Sequence, residues 1–489
     1  MKFVKLLIVP GIIFGTMFLS GCSKMDTREQ GKMPITTQSE EALADFLKGR
    51  DLFEGLQVQE SLNYFKKAID KDSKFAIARL YYAQAQPTPK GFFDELEKAV
   101  ALADQASEGE RLWIDGFHAA VNGMPMKQRE LYQKLCDLYP NDERAHGQLG
   151  NHYFGVQMFK EAIEEYNKAV AINANYAQVY NQLGYSNRQL GNYSEAEKAF
   201  KKYTELIPND PNPYDSYAEL KMKMGEYESS IELYQKALEV NPNFGASHVG
   251  IATNYNLLGE HEKARKQLQK YFDIARNDGE RRQALFAMAV SYVDQSNDAK
   301  ALEQLNKMYA IAEKKNDAPA MAGDLGTMGN ILYETGKYDE AAASYEKAMQ
   351  TMLHSGLEPE VIENAKRFYM YNEGKVALRK GDLKRSKEKA EQFLAAATEV
   401  NNTFQLWLAH ELMGMIALAE KDWDKAIEEF GQANQQNPYT FYRMAKAYEG
   451  KGDNEKAIEY YGKAANDNTL NSMNYAFIRS KAHDMLAKM

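Results

Sequence analysis

The sequence predicts an all-α solenoid of stacked helical hairpins, and three observations carry that prediction. A pattern of small and aromatic residues returns every 34 residues through the middle of the chain. Gly150, Tyr153, Ala162, Tyr166 and Ala169 are followed by Gly184, Ala196, Phe200 and Pro208, then by Ala218, Tyr227, Tyr234, Ala237 and Pro242, then by Ala252, Tyr255, Gly259 and Ala264. A fixed period of this length marks units that cannot bury an apolar face alone and must stack on their neighbours. Each unit also reads as two amphipathic helices joined by a turn. Finally, the helix breakers keep their places: a Gly at the fifteenth position ends the first helix, and a Pro at the thirty-second opens the turn into the next unit.

The elements follow in chain order. Lys2 and Lys5 supply a positive start, and an apolar stretch from Leu6 to Leu19 follows. That stretch is about 14 residues, too short for a comfortable membrane span and the right size for a signal-peptide core. Leu19-Ser20-Gly21-Cys22 resembles the lipobox of bacterial lipoproteins. The resemblance implies that residues 1–21 are a signal peptide and that Cys22 is acylated and becomes the first mature residue. Two or more acyl chains would anchor the protein firmly to a membrane. Ser23 stands where enterobacterial lipoproteins retained in the inner membrane carry Asp, which implies the outer membrane. Residues 22–40 are polar, with Gly31, Pro34 and no apolar period, so they are expected to form a flexible tether. Such a segment reaches about 20–25 Å on average.

Repeat frames start at Ala42, Gly109, Glu143, Ala177, Pro211 and Gly245. Small residues at the eighth and twentieth positions let the two helices approach, and an aromatic at the twenty-fourth fills the gap to the next unit. These residues resemble the tetratricopeptide repeat over nearly all of 42–471. The resemblance implies a right-handed superhelix of about 11–12 hairpins. Residues 41–278 form the regular array, in which 76–108 is degenerate, with Pro87-Thr88-Pro89 where a Gly is expected. Later frames start near Arg282, Ala322, Arg367 and Trp407, at spacings of 40, 45 and 40 residues, and the last starts near Pro438. The extra residues, for example 316–321 and 356–366, predict longer second helices, as in the kinesin-light-chain-like variant of the repeat. A second array over 279–471 is therefore expected, with Asn277-Asp278-Gly279 as the joint. Residues 472–489 read as a helix capping the last apolar face.

Composition excludes several functions. The formal charge is −9, and losing Lys2 and Lys5 with the signal takes it to −11. An acidic chain with no basic block does not suit nucleic acid. Only Cys22 and Cys136 are present, so with Cys22 acylated no internal disulfide can form, and Cys136 reads as a small buried hydrophobe. The eight histidines are scattered, and His410-Glu411 lacks the second His of a zinc helix. No Gly-rich phosphate loop and no Gly-x-Ser-x-Gly motif occur, and Glu164-Glu165 and Glu428-Glu429 sit beside lysines on solvated faces. No enzyme activity, cofactor or metal is expected.

In this family ligands usually lie in the concave groove lined by the first helices, at the second, fifth, ninth and twelfth positions. Here those positions hold Arg144, Asn151 and Phe154; Gln178, Asn181, Tyr185 and Arg188; Asn212, Asp215 and Glu219; and Thr253 and Asn256. Amides with aromatic rings suit an extended peptide, whose backbone the amides bond and whose side chains the rings cover. Arg144, Asn151, Phe154, Gln178, Asn181, Tyr185, Arg188 and Asn256 are the expected partner-contacting residues. The later groove is apolar and aromatic, with Phe368, Tyr371, Lys375, Leu408, Met415, Leu418, Tyr439, Tyr442 and Lys446. The chain's own last helix is expected to fill it. At the bulky fourth position, His146 and His248 are expected to be packing residues, while Gln128, Ser230 and Ser386 replace the small residue at the twentieth. The expected function is a non-catalytic scaffold for envelope proteins, anchored through Cys22 to the outer membrane and facing the periplasm or the cell surface. It would bind protein partners and no nucleic acid, and its oligomeric state stays open. The alternatives are a surface glycan-binding lipoprotein for nutrient uptake, or an assembly factor for a secretion or pilus system.

Overall fold

A residue that must reverse the chain within one step needs the left-handed backbone region, which a Cβ disfavours. At the fifteenth position φ is positive in Gly123, Gly191, Gly225, Gly259, Gly336, Gly381 and Gly452, and also in Gln157, Ser296 and Lys421. Ten frames therefore turn at the same place in the same way. The three side-chain-bearing residues carry a strain of about 1–2 kcal/mol each, partly offset by the lower entropy they lose on folding. Lys421 sits at φ 63° and is exposed, so its side chain gives little in return. Lys421→Gly is expected to raise stability by about 0.5–1 kcal/mol in urea unfolding. A fall in stability would remove backbone strain as the explanation.

The computed structural model describes Met25–Asp26 and residues 31–489 apart from 56. Cys22 and the signal segment 1–21 lie outside the described residues. A two-residue ladder pairs β1 (Met25–Asp26) with β2 (Thr36–Thr37). Twelve hairpins follow. They are α1 (Glu40–Glu54) with α2 (Val58–Lys71), α3 (Ala76–Gln84) with α4 (Pro89–Leu102), α5 (Glu108–Val121) with α6 (Pro125–Leu138), and α7 (Glu143–Gly155) with α8 (Phe159–Ile172). Next come α9 (Ala177–Gln189) with α10 (Tyr193–Leu206), α11 (Asn212–Lys223) with α12 (Tyr227–Val240), and α13 (Gly245–Leu257) with α14 (His261–Ile274). The later hairpins are α15 (Asp278–Asp294) with α16 (Asp298–Lys314), α17 (Ala318–Glu334) with α18 (Tyr338–Leu353), and α19 (Pro359–Arg379) with α20 (Leu383–Glu399). Then α21 (Thr403–Glu420) pairs with α22 (Trp423–Gln432), and α23 (Pro438–Lys451) with α24 (Asn454–Ala465), before the single helix α25 (Met473–Leu486). In the degenerate unit Thr88 caps α4 by accepting from the Gly91 N–H, and Pro89 opens the helix where no N–H is needed.

The core is one contact repeated. The Gly at the eighth position of a frame lies under the ring at its twenty-fourth. A Cβ on Gly116 would stand 2.3 Å from Tyr132, on Gly150 2.5 Å from Tyr166, on Gly184 2.5 Å from Phe200, and on Gly414 2.6 Å from Phe430. The ring thus packs inside its own hairpin as well as toward the next. Where Ser replaces the small residue at the twentieth position, its hydroxyl donates to the eighth-position carbonyl: Ser230 to Ala218 O at 2.8 Å and Ser386 to Gly374 O at 3.0 Å. In the four frames from Glu143 to Gly245 the fourth position also shares one partner, the carbonyl six residues earlier. His146 Nε2 lies 3.1 Å from Pro140 O, Tyr180 donates to Ala174 O, Tyr214 donates to Pro208 O, and His248 Nε2 lies 3.0 Å from Pro242 O.

Three expectations about the fold need correction. The extra residues after 278 lengthen the first helices as well as the second. α15, α17, α19 and α21 reach 17, 17, 21 and 18 residues, against 13, 13, 12 and 13 for α7, α9, α11 and α13. Residues 318–321 and 359–366 join the following hairpin because Asp317 caps α17 and Pro359 opens α19. At the expected joint, Asn277-Asp278-Gly279, Asn277 caps α15, and Val249, Leu268, Tyr271, Ala284 and Met288 form one core cluster across it, so the packing is continuous where the helices begin to lengthen. Residues 32–37, expected in a flexible tether, lie against the solenoid. The Met33 N–H donates to Asp142 at 2.7 Å, Ser107 donates to Pro34 O at 3.1 Å, Thr37 donates to Asp72 at 2.7 Å, and Met33 and Ile35 pack on the first core cluster. Finally, α25 does not fill the apolar groove of α19–α23. Ala476, Phe477, Ile478 and Ala482 pack instead in one cluster with Ala464 and Ala465 of α24, the last hairpin, and with Leu285, Ala289, Val290 and Val293 of α15.

Hairpins far apart in sequence also touch. Gly123 O accepts from Asn402 at 3.1 Å, His118 Nε2 lies 2.9 Å from Glu358, Gln157 donates to Asn434 at 2.8 Å, and Tyr227 donates to Asn468 at 2.9 Å. Hairpin three thus meets ten and eleven, four meets the loop between eleven and twelve, and six meets the loop before α25. The second superhelical turn rests on the first. Among the described residues no helix is long and apolar enough to cross a membrane.

Candidate binding grooves

The first helices of hairpins one to six enclose a chamber of about 340 Å³. Its rings are Phe53, Tyr81, Trp113, Phe117, Tyr132, Tyr176 and Tyr203, and its polar groups include Glu54, Gln148, Asn151, Gln178, Asn181, Gln182 and Asn212. Asn151 Oδ1 accepts from Tyr166 at 2.8 Å, which leaves its NH₂ toward the chamber. Asn181 Oδ1 is buried with no hydrogen-bond partner. An orphaned amide oxygen on a chamber wall is an acceptor waiting for an N–H. Burial pushes the Glu54 carboxyl up, opposed by the nearby Arg144 and Arg50 guanidiniums. Arg144 lines the adjoining pocket with Arg50 and Trp113, stacks over the Tyr176 ring and bonds Glu143 at 3.2 Å.

The other expected residues are placed differently. Phe154 packs edge-on against Phe159, 5.4 Å between ring centres, inside its own hairpin. Tyr185 donates to Glu219 at 3.0 Å, and Arg188 bonds the other Glu219 oxygen at 2.9 Å while lying over the Tyr185 ring. Both are thereby spent on an internal network. That network also holds Asp215, which accepts from the Ser247 hydroxyl at 2.6 Å. Burial, reinforced by the Glu219 charge, raises the Asp215 carboxyl to about 8. Asn256 is 8% exposed: its Oδ1 accepts from Ser291, and its carbonyl accepts from Arg479 of α25. It is therefore covered by the chain itself. Trp113 and Phe117 occupy the fifth and ninth positions of the Gly109 frame, so the same positional rule would have found them there.

A second chamber, of about 360 Å³, lies on the concave side of α17, α19, α21 and α23. Phe368, Tyr371, Lys375, Leu408 and Tyr439 line it as expected, while Met415 and Leu418 belong to the core instead. From α25 only Asn474 and Phe477 reach its edge.

One cluster has metal-ligand composition among the described residues: Cys136, His146 and Glu165. Its members are already satisfied. His146 has acceptors at both nitrogens, Glu165 at 2.7 Å and the Pro140 carbonyl, and the Glu165 bond holds its pKa above the usual value. Burial pushes the Cys136 thiol up to about 12. His410 and Glu429 make the same contact in another hairpin at 2.8 Å, so the pairing belongs to the repeat, and Glu165 and Glu429, expected on solvated faces, are buried by it.

Stacked hairpins with a ring-lined concave face define a helical-repeat binding protein. Models of the tetratricopeptide repeat match residues 143–176, 177–210, 325–350 and 438–466, residues 221–289, and residues 371–439. The chain belongs to the tetratricopeptide repeat family, and its repeats indicate a scaffold for protein–protein interaction. Among solved structures it is similar to a tetratricopeptide repeat protein from Parabacteroides merdae ATCC 43184, at 16% identity and TM-score 0.37, over 54% of this chain and 99% of that one. It is also similar to two crystal structures of MamA, at 24% and 23% identity and TM-score 0.29 each, over 35% and 34% of this chain and 96% and 91% of those chains. Comparison with the curated proteins gives no match.

Proposed function

We propose that this protein is a non-catalytic scaffold whose first chamber holds an extended peptide segment of a protein partner, and that acylated Cys22 anchors it to the bacterial outer membrane, facing the periplasm. The observation that carries the peptide reading is the orphaned Asn181 oxygen in one chamber with the half-buried Phe53 and Phe117 rings, backed by five further rings of the core. Peptide backbone needs donors and acceptors met in regular succession, and peptide side chains need apolar cover. The anchor rests on Leu19-Ser20-Gly21-Cys22 alone.

Crosslinking in cells followed by identification of the captured proteins tests the groove. Asn151→Ala with Asn181→Ala is expected to lose the captured partner and to lower the unfolding free energy by no more than about 1–3 kcal/mol, the cost of the one hydrogen bond that Asn151 accepts from Tyr166, and Asn181→Ala alone is expected to weaken capture with the thermal melt kept. Unchanged capture would move the binding surface elsewhere. Cys22→Ala is expected to release the protein from the membrane fraction, and continued membrane attachment would sink the lipid anchor.

A further inference from the structure

The second chamber contains a buried cation with no carboxylate in direct contact. Lys375 is 7% exposed, yet its ammonium has one hydrogen-bond acceptor, Asn330 Oδ1, at 3.4 Å. Otherwise it faces three tyrosine rings, Tyr371, Tyr333 and Tyr345, at 4.8, 5.0 and 5.4 Å. The charged neighbours are all committed. Arg443 sits 2.7 Å from Glu411 Oε1, which Tyr371 also donates to, and Glu411 Oε2 accepts from Asn437. Glu334 pairs with Lys481 at 3.2 Å. Among the described residues no carboxylate pairs with Lys375. An ammonium has three donors and is costly to bury without an anion. Phe368, Leu408 and Phe477 are the apolar members of the chamber's lining, and Phe368 stays 39% exposed. Gly323 and Gly326 also line the chamber, and a Cβ on either would meet nothing within 4 Å.

We propose that this chamber is a second binding site, for a carboxylate carried on an apolar body: the carboxylate meets Lys375 and the body lies against Phe368, Leu408 and Phe477. The volume of about 360 Å³ takes a small organic acid or an acidic side chain with one apolar neighbour. Burial, against the pull of Glu411, lowers the Lys375 ammonium to about 8. An arriving anion restores the charged form, so binding near that pH takes up a proton.

The test is calorimetry on the full chain at pH 8, in two buffers of different ionisation heat. The probes are 3-phenylpropionate and its amide, and a capped Leu-Glu-Phe peptide and its Gln counterpart. The carboxylates are expected to bind at least about tenfold more tightly than their amides, with uptake of about half a proton. Binding by the free acid alone assigns a small metabolite-sized acid, and binding by the peptide assigns an acidic side chain. Lys375→Met is expected to abolish binding and proton uptake without lowering the thermal midpoint, because it removes a buried cation that lacks a counter-ion. Gly326→Leu is expected to block the chamber, since a side chain there enters open space and Leu favours helix over Gly. Equal binding of acid and amide, binding retained by Lys375→Met, or no binding by either carboxylate would overturn the proposal.

Discussion

Phe200→Ala is expected to cost about 3–5 kcal/mol in urea unfolding, the range for emptying a well-packed aromatic site. The ring is 0% exposed and meets Tyr185 edge-on at 5.3 Å between ring centres. Its other face covers Gly184, where a Cβ would stand 2.5 Å from the ring. Gly184→Leu therefore forces the ring or the helix aside and is expected to cost about 1–3 kcal/mol or more. The decisive measurement is the double variant. A leucine grown from position 184 occupies the space the ring leaves, so Gly184→Leu with Phe200→Ala is expected to be less destabilised than the two costs together, by about 0.5–3 kcal/mol. Costs that simply add would mean that the packing of Gly on ring does not set the spacing of the two helices.

A second large effect is a dependence on pH. Asp215, Glu219 and Arg188 bury two carboxyl groups with one guanidinium, so one carboxyl is best kept protonated, and the rise of Asp215 to about 8 marks it as that one. A carboxyl raised on folding binds its proton more tightly in the native state than in the unfolded chain. Its stabilising contribution is fully present below about pH 4 and is lost as pH rises through about 8. Asp215→Asn keeps a neutral group of the same size that never ionises. Between pH 4 and 9 the stability difference between this variant and the parent is expected to swing in favour of the variant by a few kcal/mol. Groups common to both proteins cancel in that difference. A flat difference would show that Asp215 ionises normally in the folded protein.

Local rules were legible in the sequence, and distant partners were not. The turn at the fifteenth position, the Gly at the eighth and the ring at the twenty-fourth repeat within one hairpin, so the period exposes them. Asn151, Gln178 and Asn181 reach the first chamber for the same reason: their positions on a first helix decide their direction. Tyr185 and Arg188 share those positions but fold onto Glu219, 34 and 31 residues ahead, and a rule read one repeat at a time cannot register that bond. Asn256 is covered by Arg479, which arrives from the far end of the chain. Residues 32–37 lack any apolar period, yet they dock because Asp142, Glu110 and Asp72 offer acceptors at helix ends to their backbone and hydroxyl groups. Nothing in a polar segment's own composition announces such acceptors.

The resting of one superhelical turn upon the next has a mechanical consequence. A string of repeats joined only to their neighbours behaves as an open spring and melts piece by piece. Here the coils touch through Gly123 with Asn402, Gln157 with Asn434 and Tyr227 with Asn468. A spring with touching coils resists compression and stretches only after those contacts part. A long ligand must therefore thread in from an open end or pry the coils apart.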